Sequence, residues 1–159
     1  MKAYLANGLF SEADVLYNEL LAKQLREALP GIELYVPQEN GDINDKTAYA
    51  NSLMIAQADT EKLVNSDFLV AVLDHMDEGV MAEIGLFSTT GKPIFGLFTD
   101  SRQQGRENQK KIDALIDDPV ENQFPYVNLF VVGCIKKNGK IFSTRDELID
   151  YIVPYTKDC

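Results

Sequence analysis

Short, nearly continuous apolar runs alternate along the chain with longer stretches whose apolar positions recur every three or four residues. The runs "KAYLANG" (2–8), "IELYVP" (32–37), "DFLVAVLD" (67–74), "IFGLF" (94–98) and "NLFVVGCI" (128–135) read as five strands. After the first, Ser11 caps a helix with Leu16, Tyr17, Leu20, Leu21, Leu25 and Ala28 at helical spacing, ended by Pro30-Gly31. "QENGDIND" (38–45) is a polar loop, and a second helix is expected from about Lys46 to Asn65. That helix offers Ala48, Leu53, Ile55, Ala56, Leu63 and Val64 for burial. A third helix runs from about Glu78 to Thr89, before the turn Gly91-Lys92-Pro93. Polar "DSRQQGRENQKK" (100–111) leads into a helix through Leu115. Asn138-Gly139 is a turn signal, so the chain is expected to double back briefly there. Thr144 and Glu147 form a capping box for a last helix, stopped by Pro154.

Strand and helix alternating this often imply a parallel sheet covered by helices on both faces. The expectation is a flavodoxin- or Rossmann-like, doubly wound α/β fold with a five-stranded, mainly parallel sheet. No repeat, linker or low-complexity segment divides the chain, so residues 1–159 read as a single domain. In such sheets ligands sit beyond the C-terminal ends of the strands. That rule gathers Asn7 to Phe10, Pro37 to Asn40 and Asp74 to Glu83 around one cleft.

Composition narrows the partners. A formal charge of −10 argues against a nucleic-acid backbone or an anionic membrane, but says little about small neutral ligands. No apolar run approaches the roughly 20 residues that span a bilayer. The N-terminal "MKAYLANGLF" has no signal-peptide apolar region, so a cytoplasmic location is expected. Cys134 lies in an apolar run and Cys159 is the last residue, a spacing unlike any metal site. The single histidine, His75, has no second histidine to join it, which weighs against a zinc centre or a Ser-His-Asp triad. Neither G-x-G-x-x-G nor a Walker A pattern follows the first strand, which disfavours a dinucleotide or triphosphate site.

The acids at the expected cleft then carry the chemistry. Asp77 precedes the third helix, and Glu83 falls in its second turn among apolar neighbours. One reading makes Asp77 an N-cap and Glu83 a solvated helix residue. The other makes Glu83 a held, partly desolvated carboxylate able to attack an electrophilic carbon. Asp59, in the second helix, reads by itself as an exposed helix acid.

Four separated segments resemble one family. "YLANGLF" (4–10), with aromatics at Tyr4 and Phe10, is similar to the opening strand and loop of the nucleoside 2-deoxyribosyltransferases. "VPQEN" (36–40) resembles the family's loop after the second strand, and "PYVNLF" (125–130) its segment with asparagine before leucine. "DTEKLVNSDFLVAVLDHMDEGVMAEIG" (59–85) has the family's spacing of helix Asp, strand Asp, loop Asp and catalytic Glu. The resemblance implies that Glu83 attacks the anomeric carbon of a 2-deoxyribonucleoside and that Asp59 exchanges a proton with the base. It makes Asp77 a second acid near sugar and base, and Tyr4 an aromatic that helps hold the nucleophile. The loops bearing Gly8, Phe10 and Asn40 would bind substrate. Asn128 would reach the sugar 5′-hydroxyl in a neighbouring subunit's site.

The implied partners are deoxyribonucleosides and free purine or pyrimidine bases, with no nucleic-acid polymer, no membrane, no cofactor and no metal. The implied assembly is a homo-oligomer built from dimers, up to a hexamer. The stretch 100–124 is longer and more polar than the core pattern needs, which suggests a flap over the base. The end, "IVPYTKDC", departs from the terminal aromatic of typical members. Two rival readings stay open: an N-glycosidase hydrolysing 2-deoxynucleoside 5′-monophosphates, and a non-catalytic nucleoside-binding module. The first needs phosphate donors, commonly a serine where Asp77 stands, and a carboxylate there repels a phosphate dianion.

Overall fold

A computed structural model describes residues 1–44, 47 and 49–156. Five parallel strands form one sheet in the order β2-β1-β3-β4-β5. They are β1 (Lys2–Ala6), β2 (Glu33–Tyr35), β3 (Phe68–Val72), β4 (Ile94–Leu97) and β5 (Lys140–Phe142). Order reverses between β1 and β3, the crevice where doubly wound sheets bind ligands. All four pairings among the described residues are parallel.

The period-two alternation of strand side chains sorts the core onto two faces. One face gathers Ala3, Leu5, Val70, Val72, Phe95 and Phe142 under helices α1 (Glu12–Ala28) and α7 (Arg145–Tyr155). The other gathers Tyr4, Ala6, Leu69, Ala71, Leu73 and Ile94 with residues of α3 (Ser52–Val64), α4 (Glu78–Ser88) and α6 (Leu129–Lys136). β3 is buried at every position, as its unbroken apolar run requires for a central strand. A short helix α2 (Gly41–Asn44) follows the turn at Pro37–Glu39, and α5 (Gln109–Asp117) lies outside the core with no buried residue.

Helix starts follow the caps. Ser11 accepts from the backbone N–H of Asp14 at 3.1 Å, and Asp77 from that of Val80 at 3.0 Å. Thr144 accepts from Glu147 N–H at 3.2 Å, while the Glu147 carboxylate reaches back to Ser143 N–H at 3.1 Å. Asn51 caps α3, accepting from Met54 N–H at 3.0 Å, so this helix begins later than Lys46; Lys46 and Ala48 lie outside the described residues. Pro154 sits within the last turn of α7 rather than stopping it, since a proline so near the end forfeits little helix bonding.

The expected fifth strand at 128–135 is a helix. A short apolar run cannot by periodicity be told from a buried helical segment. Here Asn128 caps it, accepting from Phe130 N–H at 2.9 Å, and Val131 and Ile135 turn one stripe to the core. The fifth strand is instead β5, and Asn138-Gly139 is not a hairpin turn: it joins α6 to a strand parallel to β4. α3 also differs from expectation, with Leu63 its one buried residue and Leu53 left 63% exposed. Cys134 is a half-buried free thiol, and Cys159 lies outside the described residues.

Gly139 stands where β5 begins against β4, and a Cβ there would fall 1.9 Å from the carbonyl oxygen of Ile94. Gly139→Ala must therefore displace backbone. Urea unfolding is expected to show a loss of about 3 kcal/mol or more, at the upper end of overpacking costs; a change under about 0.5 kcal/mol would mean the two strand ends can part freely.

Candidate active site

The cleft opens at the C-terminal ends of β1 and β3, and its walls come from the segments after β1 and β2 and from two helices. The backbone after β1 supplies Asn7, Leu9 and Phe10, and the segment after β2 supplies Pro37, Ile43 and Asn44. Helix α3 contributes Ile55 and Asp59, and the start of α4 contributes Asp77, Gly79, Val80 and Glu83. The cleft holds about 220 Å³.

Its mouth is braced by Asn18 of α1, which is only 2% exposed. Asn18 accepts from the Asn7 amide at 2.8 Å and donates to the Gly8 carbonyl at 2.9 Å and to Gln38 at 3.0 Å. One buried amide thus ties the loop after β1 to the loop after β2. Arg26 clamps the second loop from outside through a two-pronged contact with Glu39, at 2.9 and 2.6 Å.

Two carboxylates are each held by a tyrosine hydroxyl. Tyr4, fully buried on β1, donates to Glu83 Oε1 at 2.5 Å. Tyr35, at the end of β2, donates to Asp59 Oδ1 at 2.8 Å. Tyr4 and Tyr35 are register partners on adjacent strands, and their ring centroids lie 5.2 Å apart. The side chain of Asp77 both caps α4 and lines the cleft, so the two uses weighed for it from sequence are compatible.

Electrostatics separate these groups. Burial pushes Glu83 up to about 7; the Tyr4 hydrogen bond opposes this, and the charges of Asp59 and Asp77 add to it. Asp59 is also raised, by burial first, with the Tyr35 hydrogen bond working the other way. Burial and then the negative charge of Glu83 hold the Tyr4 phenol protonated far above its ordinary range. Tyr35 is pushed up to about 12, again chiefly by burial. A buried carboxylate poised near neutrality in a cleft is the pattern of acid–base and nucleophilic sites.

Among the residues singled out from sequence, Phe10, Asp59, Asp77 and Glu83 line the cleft, and Tyr4 lies directly beneath Glu83. Gly8 turns its carbonyl to Asn18, and the Asn40 amide donates to the Tyr35 hydroxyl at 2.9 Å instead of lining the cleft. Asn128 is exposed at the start of α6 and does not line it either. Asp74 accepts from both the backbone N–H and the hydroxyl of Thr99, at 2.5 and 2.6 Å, which locks the ends of β3 and β4 together. With His75 it faces a separate hollow near Tyr17. Met76, at φ +47°, takes a left-handed turn that delivers Asp77 to the head of α4. Tyr35 and Asn18 escaped the sequence reading, since nothing in a strand tyrosine or a helix asparagine announces a partner brought in by tertiary structure.

Among the described residues no group of three or more His, Cys, Asp or Glu could hold a metal ion, and no helix is long and apolar enough to cross a membrane. Fold and cleft define an α/β protein whose switch-point crevice is lined by acids. Residues 3–121 match the nucleoside 2-deoxyribosyltransferase family, and the chain belongs to that family. It is 49% identical to a conserved protein from Enterococcus faecalis V583, over 98% of both chains, with a TM-score of 0.91. The 2-deoxyribosyltransferase from Bacillus psychrosaccharolyticus shares the fold at 17% identity and a TM-score of 0.66, over 95% of this chain and 92% of that one. A CMP N-glycosidase from Clostridium botulinum shares it at 15% identity and a TM-score of 0.52, over 98% and 99%.

Raising Glu83 from the ordinary 4.5 to about 7 has a consequence for stability. A raised carboxylate stabilises the fold below the unfolded value and loses that contribution as pH rises through the folded one, here between about 4.5 and 7. Glu83→Gln keeps the shape without the ionisation. Its stability relative to wild type is expected to rise between pH 4.5 and 7 and then level off, gaining on the order of 1–3 kcal/mol at pH 8. Thermal unfolding at pH 5 and pH 8 measures this, and an equal difference at both would mean Glu83 does not titrate in that window.

Proposed function

We propose that this protein transfers the 2-deoxyribosyl group between nucleobases through a covalent glycosyl-enzyme on Glu83. The observation that carries this reading is the Tyr4 hydroxyl donating to Glu83 Oε1 at the floor of a cleft also lined by Asp59 and Asp77. Held there, the carboxylate has one oxygen fixed and the other free to approach an anomeric carbon.

Breaking an N-glycosidic bond builds oxocarbenium character on the sugar, as in glycoside hydrolysis. A Glu83 oxygen forms the bond to the anomeric carbon as the bond to the base breaks. Asp59 gives its proton to the departing base and later takes one from the incoming base. That second base attacks the anomeric carbon from the face the first one left, and Glu83 departs as a carboxylate. Two inversions retain the β configuration. Asp77 lines the same cleft, and its charge acts on Glu83; transfer outruns hydrolysis when the second base occupies the site before water attacks. Phe10 offers an aromatic wall to the base or sugar, and the Gly8 and Asn40 loops frame the mouth.

The partners in this reading are deoxyribonucleosides and free purine or pyrimidine bases, handled in the cytoplasm as a salvage step, with no cofactor. Residues 1–159 act as one domain within a homo-oligomer of paired subunits, and Asn128 reaches the neighbour's site. Support for the assembly comes from apolar side chains left exposed on α3 and around the start of α6: Leu53, Met54, Tyr126, Leu129 and Phe130.

Hydrolysis of a nucleoside 5′-monophosphate is the second reading, because the Clostridium botulinum CMP N-glycosidase shares this fold. Against it stands Asp77, whose charge at the cleft opposes a phosphate. Incubating thymidine or its 5′-monophosphate with and without adenine separates the two. Transfer is expected to yield deoxyadenosine from thymidine plus adenine, with Glu83→Ala lowering the rate by at least about 10³-fold and no 2-deoxyribosyl adduct on that variant by mass spectrometry. Release of base from the monophosphate alone, without exchange, would establish the hydrolase; ligand binding unchanged by Glu83→Ala with no turnover in wild type would leave a binding module.

A further inference from the structure

The proton-exchanging acid, Asp59, has a support that parallels the one under Glu83. Tyr35 is paired in register with Tyr4, its ring lies against that of Tyr4, and its hydroxyl meets the second site carboxylate as Tyr4's meets the first. Behind it, the Asn40 amide donates to the same hydroxyl at 2.9 Å. The chain of bonds therefore runs in one direction, from Asn40 to Tyr35 to Asp59. With its own lone pair taken by Asn40, the Tyr35 hydroxyl is oriented to give its hydrogen to Asp59 Oδ1.

We infer that Tyr35, oriented by Asn40, is a positioning residue that fixes Asp59 so that only its Oδ2 exchanges a proton with the nucleobase. This rests on the transferase reading and deepens it. An Oδ1 already accepting a hydrogen bond is the less basic oxygen, so the mobile proton resides on Oδ2. Two carboxylates on different helices are thus each aligned by a tyrosine from one of two adjacent strands, and the parallel register of β1 and β2 sets the separation of nucleophile and acid.

Among the described residues, the hydrogen bonds and ring contacts of the other charged and titratable groups around Asp59 lie elsewhere. Tyr4 and Glu83 face it from β1 and α4 and are engaged with each other. Asp77 lines the same cleft, but its side chain caps α4 by accepting from Val80 N–H. Lys62 of α3 lies 5.9 Å from the centre of the Tyr35 ring and bears on the ring, not on the carboxylate. Tyr35 is the hydroxyl that meets Asp59, and its bond favours the ionised form of that acid.

Tyr35→Phe in the full chain keeps the ring and removes the hydroxyl. Base exchange from natural deoxynucleosides is expected to fall about tenfold, part of the 10²–10⁴-fold that a general acid contributes, with KM changed less than the turnover rate. Asp59 should titrate at higher pH by carboxylate-resolved NMR, because its ionised form has lost a donor, while Glu83 stays in place. Asn40→Ala, which leaves β2 intact, should move both readouts in the same directions but less far, and it carries the test if Tyr35→Phe does not fold. Exchange within twofold of wild type overturns the inference. So does a slower variant whose Asp59 titration and pH profile are unmoved, since ring packing alone would then account for the loss. Absence of exchange in the wild-type chain, seen before any substitution, overturns the transferase reading and this role with it.

Discussion

Glu83 sits where burial opposes its charge, and the buried Tyr4 hydroxyl is what lets that charge exist. Burial raises the carboxyl, with the charges of Asp59 and Asp77 adding to it, and a short hydrogen bond from Tyr4 opposes that rise, leaving it at about 7. The bond demands a fixed distance between β1 and α4, and that distance is set by the packing of Val80, Ile84 and Phe87 against the sheet face that Tyr4 shares. The site is therefore an outgrowth of the core.

The same physics recurs one strand over. Parallel pairing of β1 with β2 puts Tyr4 opposite Tyr35, and the two hydroxyls reach carboxylates on α4 and α3. Around them the buried Asn18 joins the two mouth loops, and Asp74 ties the β3 and β4 ends through Thr99. Tyr4, Tyr35, Asn18 and Asp74 thus each have a hydrogen-bond partner, the condition for a polar site to be rigid instead of collapsed. Cost is concentrated in Glu83, as expected where function opposes stability.

The architecture was largely legible in the chain. Strand-helix alternation led to the doubly wound sheet, Ser11, Asp77 and Thr144 marked helix starts, and "DFLVAVLD" identified the central strand. The reading failed at "NLFVVGCI", where an apolar run suits a strand and a buried helix equally, and at α3, where Leu53, Ile55 and Ala56 are exposed and Leu63 is buried. Both misreadings lie at the second, helical layer. There, burial depends on what packs above, and local pattern does not report that.

By itself, the sequence determined four of the five strands and placed Asp77 and Glu83 near their C-terminal ends, because periodicity and turn chemistry are local properties. The family resemblance singled out Glu83, Asp59 and Asp77 and attached roles to them. Beyond the pairing of Tyr4 with Glu83 that the resemblance implied, only the tertiary structure decided the partners. That Tyr35 meets Asp59 across 24 positions, that Asn40 turns from the cleft to Tyr35, and that Tyr4 lies under Glu83 across 79 positions are consequences of strand register and helix packing. A hydrogen bond fixes two atoms to within tenths of an ångström, and no one-dimensional pattern specifies a distance between residues so far apart.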